Sequence, residues 1–301
     1  MRVVGYNLLN YGAKDSNVEQ QRRDLLHSVI RGCNPDVLAV QEIWAEGEHK
    51  AKRAAELVHE LAEATGLRCD LPDGRVSVAI GNLPFHTAVL WTPGIEAVAW
   101  YSCSGTQLWH GLAKVDLDIG GQIVSHASVH ATPFGRHRRA DENERILSIM
   151  TRPDDRPPGL IAGDFNCLHA DRILVSAHDG VGEGWEYYDH DPYQQPGLQW
   201  HPDFVYQCEW DYDERGQRRW WGSRGAAEVL WAGGLTDTAA HLRVPWQRTC
   251  GYWETGDPFP DRRVDAIKVT HELLPTLRAH QVVDNKVTTT ASDHLPVVVE
   301  Y

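Results

Sequence analysis

Paired cysteines, long apolar runs and excess positive charge are all missing from this sequence. The six cysteines are far apart and form no Cys-x-x-Cys pair, which argues against a structural zinc site and against a disulfide framework. No stretch approaches the ~18 apolar residues of a membrane span. The net charge of −13 opposes the long-range field of a protein that grips nucleic acid through many phosphate contacts. Any phosphate contacts must come from local basic clusters, for which the candidates are 136–139, 218–219 and 262–263.

Linkers, repeats and low-complexity tracts are also absent, which indicates one domain over residues 1–301. Hydrophobic residues make up 42% of the chain and charged residues 24%, as in globular proteins with a substantial core. Residues 2–6 have the pattern of a strand and not of an export signal. We therefore expect a cytoplasmic monomer with reduced thiols and no membrane partner.

Strand and helix patterns alternate along the chain. Ser16 and Glu19 form a candidate capping box, and the apolar spacing after them predicts a helix that ends at Gly32. Further helices are predicted at 48–65, ending at Gly66, and at 138–150 and 226–231. Strands are predicted at 2–6, 37–40, 76–80, 88–91, 95–100, 112–119, 123–129, 159–163, 264–269 and 295–300. Those between 76 and 130 suggest an antiparallel meander with a hairpin turn at Gly120-Gly121.

The segment between about 181 and 221 carries many Trp and Tyr residues among Asp, Gly and Pro. Its composition predicts a long functional loop. Aromatic faces stack on bases or other planar groups, but such rings also form satellite cores under long loops. Both interpretations remain open from the sequence.

Two motifs place polar side chains at the ends of buried strands. The run 160–162 leads into Gly-Asp-Phe-Asn, so that Asp164 and Asn166 share a face beyond the strand end. The run Ser-Asp-His at 292–294 precedes the last apolar strand. Either motif alone is equally a turn or a cap, because Gly, Asp, Asn and Ser favour turns. Together they indicate a site for a metal-bridged phosphate.

The motifs and their order resemble the endonuclease/exonuclease/phosphatase superfamily. The matching features are Asn7 on the first strand, the Gln-Glu pair at 41–42, His130, the Gly-Asp-Phe-Asn run at 163–166, Arg-Val-Asp-Ala-Ile at 263–267, and Ser-Asp-His at 292–294. The resemblance spans almost the whole chain. It implies a DNase I-like α/β (α+β) fold, in which two mixed β-sheets flanked by helices form a four-layer sandwich with the site at one end.

The resemblance also implies the metal ligands. Glu42 would bind a divalent cation, with Asn7 beside it and Asp293 as a second carboxylate ligand. Oxygen ligands of this kind suit Mg²⁺ or Mn²⁺.

By the same resemblance, Asp164 orients the attacking water or shares the metal, and Asn166 donates its amide to a phosphate oxygen. His294 lies against the phosphate and is oriented by Asp265, while His130 is a second histidine that faces the phosphate. One departure concerns His130. Some nucleases of the family orient this histidine with an acid on a neighbouring strand, whereas the stretch 85–91 carries His86 and no acid.

The implied activity is metal-dependent hydrolysis of a phosphodiester in DNA, RNA or a nucleotide-like small molecule. One alternative is a phosphomonoesterase or phosphodiesterase that acts on a small planar phosphorylated metabolite. An alternative from another class is a catalytically silent binding module, since folds host many functions.

Overall fold

Two six-stranded mixed sheets stacked face to face form the framework of the protein. The computed structural model describes residues 1–14, 16–105, 107–152, 156–176, 183–253 and 258–301. The strands of the first sheet are, in spatial order, β15 (Ala279–Val282), β16 (Val297–Glu300), β1 (Arg2–Tyr11), β2 (Val37–Trp44), β4 (Phe85–Trp91) and β3 (Val78–Ala79). Those of the second are β13 (Thr236–Asp237), β14 (Asp265–Val269), β8 (Gly159–Asp164), β7 (Gln122–His130), β6 (Leu112–Ile119) and β5 (Glu96–Cys103).

Each sheet has one parallel pair at its centre. Strands β1 and β2 are parallel in the first sheet, and β7 and β8 are parallel in the second. The remaining neighbours in both sheets pair antiparallel. The two central pairs run through the most buried part of the molecule, as parallel strands usually do.

Helices cover the outer faces of both sheets. They are α1 (Asn17–Cys33), α2 (Lys50–Thr65), α3 (Arg136–Met150), α4 (Gly225–Ala232), α5 (Thr238–Leu242) and α6 (Lys286–Ala291), with 3₁₀ turns at Pro192–Gln194, Pro202–Tyr206 and His271–Thr276. Helices α1 and α2 pack on the first sheet, and α3 and α4 pack on the second. This arrangement confirms the four-layer α/β sandwich.

Strand alternation explains the layers. Successive residues of a strand point to opposite faces, so Val3 of β1 joins the core between the sheets while Val4 joins the core under α1 and α2. The core between the sheets also contains Ala39, Val115 and Ala162.

Several predicted boundaries are confirmed and others are wrong, since β1 and β2 both continue beyond their predicted ends. Ser16 caps α1 through its side chain, and Gly66 ends α2 in the left-handed conformation. The first helix does not end at Gly32, because it continues to Cys33 and is capped by Asn34 at φ 49°. Asn tolerates the left-handed conformation that a helix end requires, and the spacing alone did not distinguish it from Gly32.

The predicted meander is divided between the two sheets. Strand β4 pairs with β2 and β3 in the first sheet, whereas β5, β6 and β7 form an antiparallel meander in the second. The chain changes sheet at a turn in which Gly94 adopts φ 97°. Strand periodicity reports that a segment is extended but not which sheet accepts it, and so the sequence did not reveal this change. The hairpin turn at Gly120-Gly121 is confirmed, with both residues at positive φ.

The aromatic segment predicted as a long loop contains regular structure. Its hairpin pairs β11 (Cys208–Tyr212) with β12 (Arg218–Gly222), and β10 (Glu183–Tyr187) pairs with β9 (Arg172–Ser176). Residues 181 and 182 of the predicted loop lie outside the described residues. Among the described residues, no helix is both long and apolar enough to cross a membrane.

Close packing between β7 and β8 generates a stability prediction. A Cβ on Gly163 would lie 1.9 Å from the carbonyl oxygen of Val129, a backbone atom that cannot move aside. We expect Gly163→Ala to lower the free energy of unfolding by about 1–3 kcal/mol or more, measured by chemical denaturation.

Gly184→Ala is the matched control, because a Cβ at this strand position meets no atom within 4 Å. Equal unfolding midpoints for the two variants would show that the β7–β8 contact does not require glycine.

Candidate active site

Three adjacent strands of the second sheet place three of the predicted site residues side by side. Asp164, the last residue of β8, is in register with His130 on β7 and with Asp265 on β14. The imidazole Nε2 of His130 lies 3.6 Å from Asp164 Oδ2. Sheet register therefore brings together residues that are more than a hundred positions apart in the chain.

The first sheet contributes Asn7 and Glu42. Asn7 Nδ2 donates to Glu42 Oε1 at 3.1 Å and to Asp164 Oδ2 at 3.3 Å, so that one amide bridges carboxylates of both sheets. The backbone N–H of Asn10 donates to the other oxygen of Glu42 at 2.9 Å. Glu42 is thus held from two sides.

An irregular backbone turns Glu42 towards the site. The pairing of β2 with β4 shifts register between Val40 and Ile43, and Glu42 between them adopts φ 62°. Asn166 adopts φ 51° just beyond β8. A left-handed backbone is uncommon for Glu and tolerated by Asn, and such outliers concentrate at functional sites. No sequence pattern indicated the conformation of Glu42.

The loop between α6 and β16 brings in the third segment of the site. Ser292 Oγ donates to the carbonyl oxygen of Asn7 at 2.8 Å and accepts from the backbone N–H of His294 at 3.2 Å. Ser292 belongs to a motif of the sequence that did not indicate its role. Its hydroxyl ties the Asp293–His294 loop to strand β1, beside Glu42.

His294 is held by Asp265, as the resemblance implied. Its Nδ1 lies 2.8 Å from Asp265 Oδ2, and its Nε2 lies 3.8 Å from Asp164 Oδ2. Burial lowers the pKa of His294, but the carboxylates, Asp265 first, outweigh burial and raise that pKa well above its usual value. These carboxylates therefore favour the protonated form of His294.

His130 has the opposite electrostatic character. Burial, followed by the neighbouring His110 and His294, lowers the pKa of His130 well below its usual value. The rings of His110 and His130 have centroids 4.2 Å apart. His86 contacts the backbone of Gly81 and Ala45 instead. His130 thus packs against His110, whose pKa burial lowers to about 4, and its acidic neighbour is Asp164 and not a residue of the stretch 85–91. No sequence motif indicated His110.

Burial and repulsion between carboxylates raise the pKa values of two acidic side chains of the site. Burial raises the pKa of Asp164 to about 7, with a further rise from Asp265 that opposes the lowering effect of His294. Burial and then Asp293 raise the pKa of Glu42. Carboxylate oxygens that raise one another's pKa in a partly buried cluster fit a hard divalent cation.

Asn7 and Asn166 present specific atoms to the site. The oxygen of Asn7 accepts from the N–H of Leu9 at 3.1 Å, so its amide nitrogen faces the carboxylates. Asn166 Nδ2 donates one hydrogen to the carbonyl oxygen of Ala131 at 2.9 Å, which leaves its second N–H for a substrate oxygen. The metal role of Asn7 stays a prediction.

A buried network of charges anchors strand β14 behind Asp265. Arg263 donates to Asp189 Oδ1 at 2.8 Å and to Asp237 Oδ2 at 2.9 Å. Lys268 Nζ lies 2.5 Å from Asp171 Oδ2 and 3.8 Å from Asp237 Oδ2. All five side chains are almost fully buried. Of these residues, sequence analysis had used only Arg263, as part of a motif.

Comparison with known proteins adds a family and a fold. A model of the Endonuclease/Exonuclease/phosphatase family matches residues 6–294. The sequence has no match among curated proteins. An AP endonuclease from Archaeoglobus fulgidus is 18% identical with a TM-score of 0.56, over 100% of this chain and 99% of that one.

Two further solved structures share the fold. D. rerio TDP2 complexed with single-strand DNA product is 14% identical, with a TM-score of 0.58 over 99% of this chain and 97% of that one. The mannosyl-6-phosphatase of Bacteroides thetaiotaomicron VPI-5482 is 14% identical, with a TM-score of 0.57 over 100% of this chain and 98% of that one. Likeness at these identities concerns the fold.

The pairing of Asp265 with His294 predicts a change in titration. Asp265→Asn removes the carboxylate that most raises the pKa of His294, so this pKa should fall and the imidazolium should deprotonate at lower pH than in the unaltered protein. Measurement of the imidazole chemical shift by NMR against pH tests this. His27, whose pKa burial lowers without any influence of Asp265, is the internal reference. An unchanged His294 titration would contradict the prediction.

The buried network predicts a large stability effect of one carboxylate. Asp237→Asn keeps an oxygen to cap α5 but leaves Arg263 and Lys268 short of a negative charge. We expect a loss of about 3–5 kcal/mol in unfolding free energy, as for a broken buried ion pair. Asp211→Asn, which breaks the exposed pair with Arg219, should cost under about 1 kcal/mol. Similar losses in urea denaturation would contradict this prediction.

Proposed function

Since the chain belongs to the endonuclease/exonuclease/phosphatase family and has its DNase I-like fold, we propose that it is a divalent-metal-dependent phosphodiesterase. The family consists of hydrolases of phosphoric ester bonds, and the proposed substrate is a nucleic acid or a nucleotide-like diester. The observation that carries this proposal is the bridge of Asn7 to Glu42 and Asp164, which lies next to the imidazolium of His294. It supports a cation site and a phosphate site side by side.

The cation would be held by Glu42 and Asp293, with the amide of Asn7 beside Glu42. Bound there, Mg²⁺ or Mn²⁺ supplies Lewis-acid polarisation of a phosphoryl oxygen. The protein side chains supply the rest of the chemistry. His294, charged through Asp265, binds a negatively charged phosphate oxygen, and Asn166 donates its free N–H to another.

Asp164 is the proposed proton acceptor for the attacking water. Its Oδ1 accepts from the backbone N–H of Asn166 at 2.8 Å, and its Oδ2 lies within 4 Å of both His130 and His294. A pKa raised to about 7 makes this carboxylate a stronger base than an ordinary Asp at neutral pH. His130, uncharged, completes the phosphate-facing side of the site as a hydrogen-bonding group.

A second candidate is a phosphomonoesterase or phosphodiesterase that acts on a small planar phosphorylated metabolite. The net charge of −13 favours it, because extended nucleic acid is repelled at long range while a small phosphate ester is less affected. The likeness to a mannosyl-6-phosphatase also supports small substrates for this fold.

All six cysteines are free thiols, which supports the expected cytoplasmic location.

The test is hydrolysis of supercoiled plasmid, single-stranded DNA, RNA, p-nitrophenyl phosphodiesters and sugar phosphates by the purified protein with Mg²⁺ or Mn²⁺. We expect diester cleavage that EDTA abolishes and that Asp164→Asn, which removes the proposed general base, lowers on the order of a thousandfold. Glu42→Gln, which removes a proposed metal ligand, should also lower cleavage strongly.

Asp211→Asn, at an exposed ion pair, is the control for carboxylate removal and should leave activity unchanged. Cleavage of monoesters alone would select the second candidate. A folded protein that binds phosphate esters without any turnover would leave only the binding module.

A further inference from the structure

Two aromatic side chains project into solvent beside the candidate active site. Phe134 is 56% exposed and Tyr206 is 36% exposed. Their rings form a T-shaped pair with centroids 4.9 Å apart. An exposed phenylalanine ring adds little hydrophobic free energy to folding. A fixed pair of exposed rings is therefore a candidate binding surface for a ligand that would cover it.

The pair lies close to the residues proposed to bind phosphate. Phe134 follows His130 by four residues, and the loop between them is tied to the site because Ala131 receives the hydrogen bond of Asn166 Nδ2 at 2.9 Å. The N–H of Ala131 also donates to the carbonyl oxygen of Asp164 at 2.9 Å. Three residues of chain span at most about 11 Å, and this limits the distance from Ala131 to Phe134.

A buried arginine fixes the two rings relative to each other. Arg139 of α3 is 1% exposed and donates to the carbonyl oxygens of Thr132 and Pro133 at 3.1 and 2.9 Å. Its other terminal nitrogen donates to the carbonyl oxygen of Tyr206 at 2.5 Å. One guanidinium thus joins the loop that carries Phe134 to the 3₁₀ turn that carries Tyr206. Such preorganisation lowers the entropy lost when a ligand binds.

Two arginines of α3, the helix that begins just after Phe134, lie against further aromatic rings. The guanidinium of Arg136 lies 4.7 Å from the ring centroid of Trp210, and that of Arg138 lies 4.4 Å from the ring centroid of Trp109. Both belong to the basic cluster at 136–139. In a chain of net charge −13, this rim offers positive charge next to aromatic faces. The combination is typical of surfaces that bind single-stranded nucleic acid.

Four rings of the aromatic segment have a structural role. Tyr193 and Phe204 are buried in a small core with Leu168 and Cys208, against which Trp200 and Trp220 pack. This core holds the 3₁₀ turn of Tyr206 in place. Trp185, Tyr187, Tyr212 and Trp221 are exposed as well, on strands β10, β11 and β12. The exposed pair of Phe134 and Tyr206 combines loop residues from two distant parts of the chain.

We propose that Phe134 and Tyr206 form a stacking subsite for a nucleobase whose own nucleotide carries the scissile phosphate. This proposal rests on the phosphodiesterase function proposed above and specifies its substrate class. Phe134 and Tyr206 supply the aromatic faces, and Arg136 and Arg138 supply positive charge for the neighbouring phosphates.

The test compares two diesters that release the same p-nitrophenolate: thymidine 5′-(p-nitrophenyl phosphate) and methyl p-nitrophenyl phosphate. Only the first carries a base. We expect the unaltered protein to have the higher kcat/KM for the thymidine ester, and Phe134→Ala or Tyr206→Ala to lower the ratio of the two kcat/KM values roughly tenfold, through KM. Phe134→Tyr retains an aromatic face and should keep the ratio of the unaltered protein, whereas Phe134→Leu should lower the ratio as Phe134→Ala does.

Trp185→Ala is the matched control, because Trp185 is 67% exposed on the separate β9–β10 hairpin, and it should leave the ratio unchanged. A purely structural role of Phe134 would lower both kcat/KM values together and keep their ratio, which would overturn the proposal. So would an unaltered protein that shows no preference for the thymidine ester.

Failure of the proposed function is separable from failure of the subsite. If neither ester is hydrolysed, the proposed function fails, and equilibrium binding of thymidine 3′,5′-bisphosphate to the unaltered protein and to Phe134→Ala decides the subsite alone. Binding that weakens roughly tenfold in the variant supports the subsite, and equal binding overturns it.

Discussion

The amide of Asn7 is the contact on which the site depends, because it joins Glu42 of one sheet to Asp164 of the other. Two partly buried carboxylates of like charge repel each other, and burial penalises both. A bridging donor lowers that cost and fixes the distance between them. The stacking of the sheets and the shape of the site are therefore coupled at a single side chain. Ser292, bonded to the carbonyl of the same residue, adds the His294 loop to this junction.

Charge is then distributed between two buried groups of residues. At the site, Asp265 and His294 form a pair whose charge faces the proposed phosphate. Behind it, Arg263 and Lys268 are matched by three aspartates and fix strand β14, which also carries Asp265. Buried ionic groups contribute little net stability but tolerate few alternative arrangements. The network thus supports the geometry of the site more than the stability of the fold.

Helix α3 links the chemistry of the site to its rim. Arg139 and Glu142 are buried on the same helix, and Glu142 accepts from the backbone N–H groups of Trp109 and Thr132 at 2.8 Å. Together these two side chains hold the loop before β6, which contains Trp109, and the loop after β7, which contains Thr132. The same helix carries Arg136 and Arg138 outward. A single helix therefore positions the loop beside His130 and presents positive charge where a substrate would enter.

The sequence by itself determined the order of the strands and helices that it predicted, several of their ends and the motif residues of the candidate site, but not the strands within the aromatic segment. These follow from local rules, since periodicity, caps and the residues at strand ends act within a few positions of the chain. Only the tertiary structure decided that the meander divides between the sheets, that Glu42 takes a left-handed backbone, that His110 lies beside His130, and that four rings of the aromatic segment build a small core while others stay exposed. Each of these depends on contacts between distant segments, whose energies local patterns do not contain.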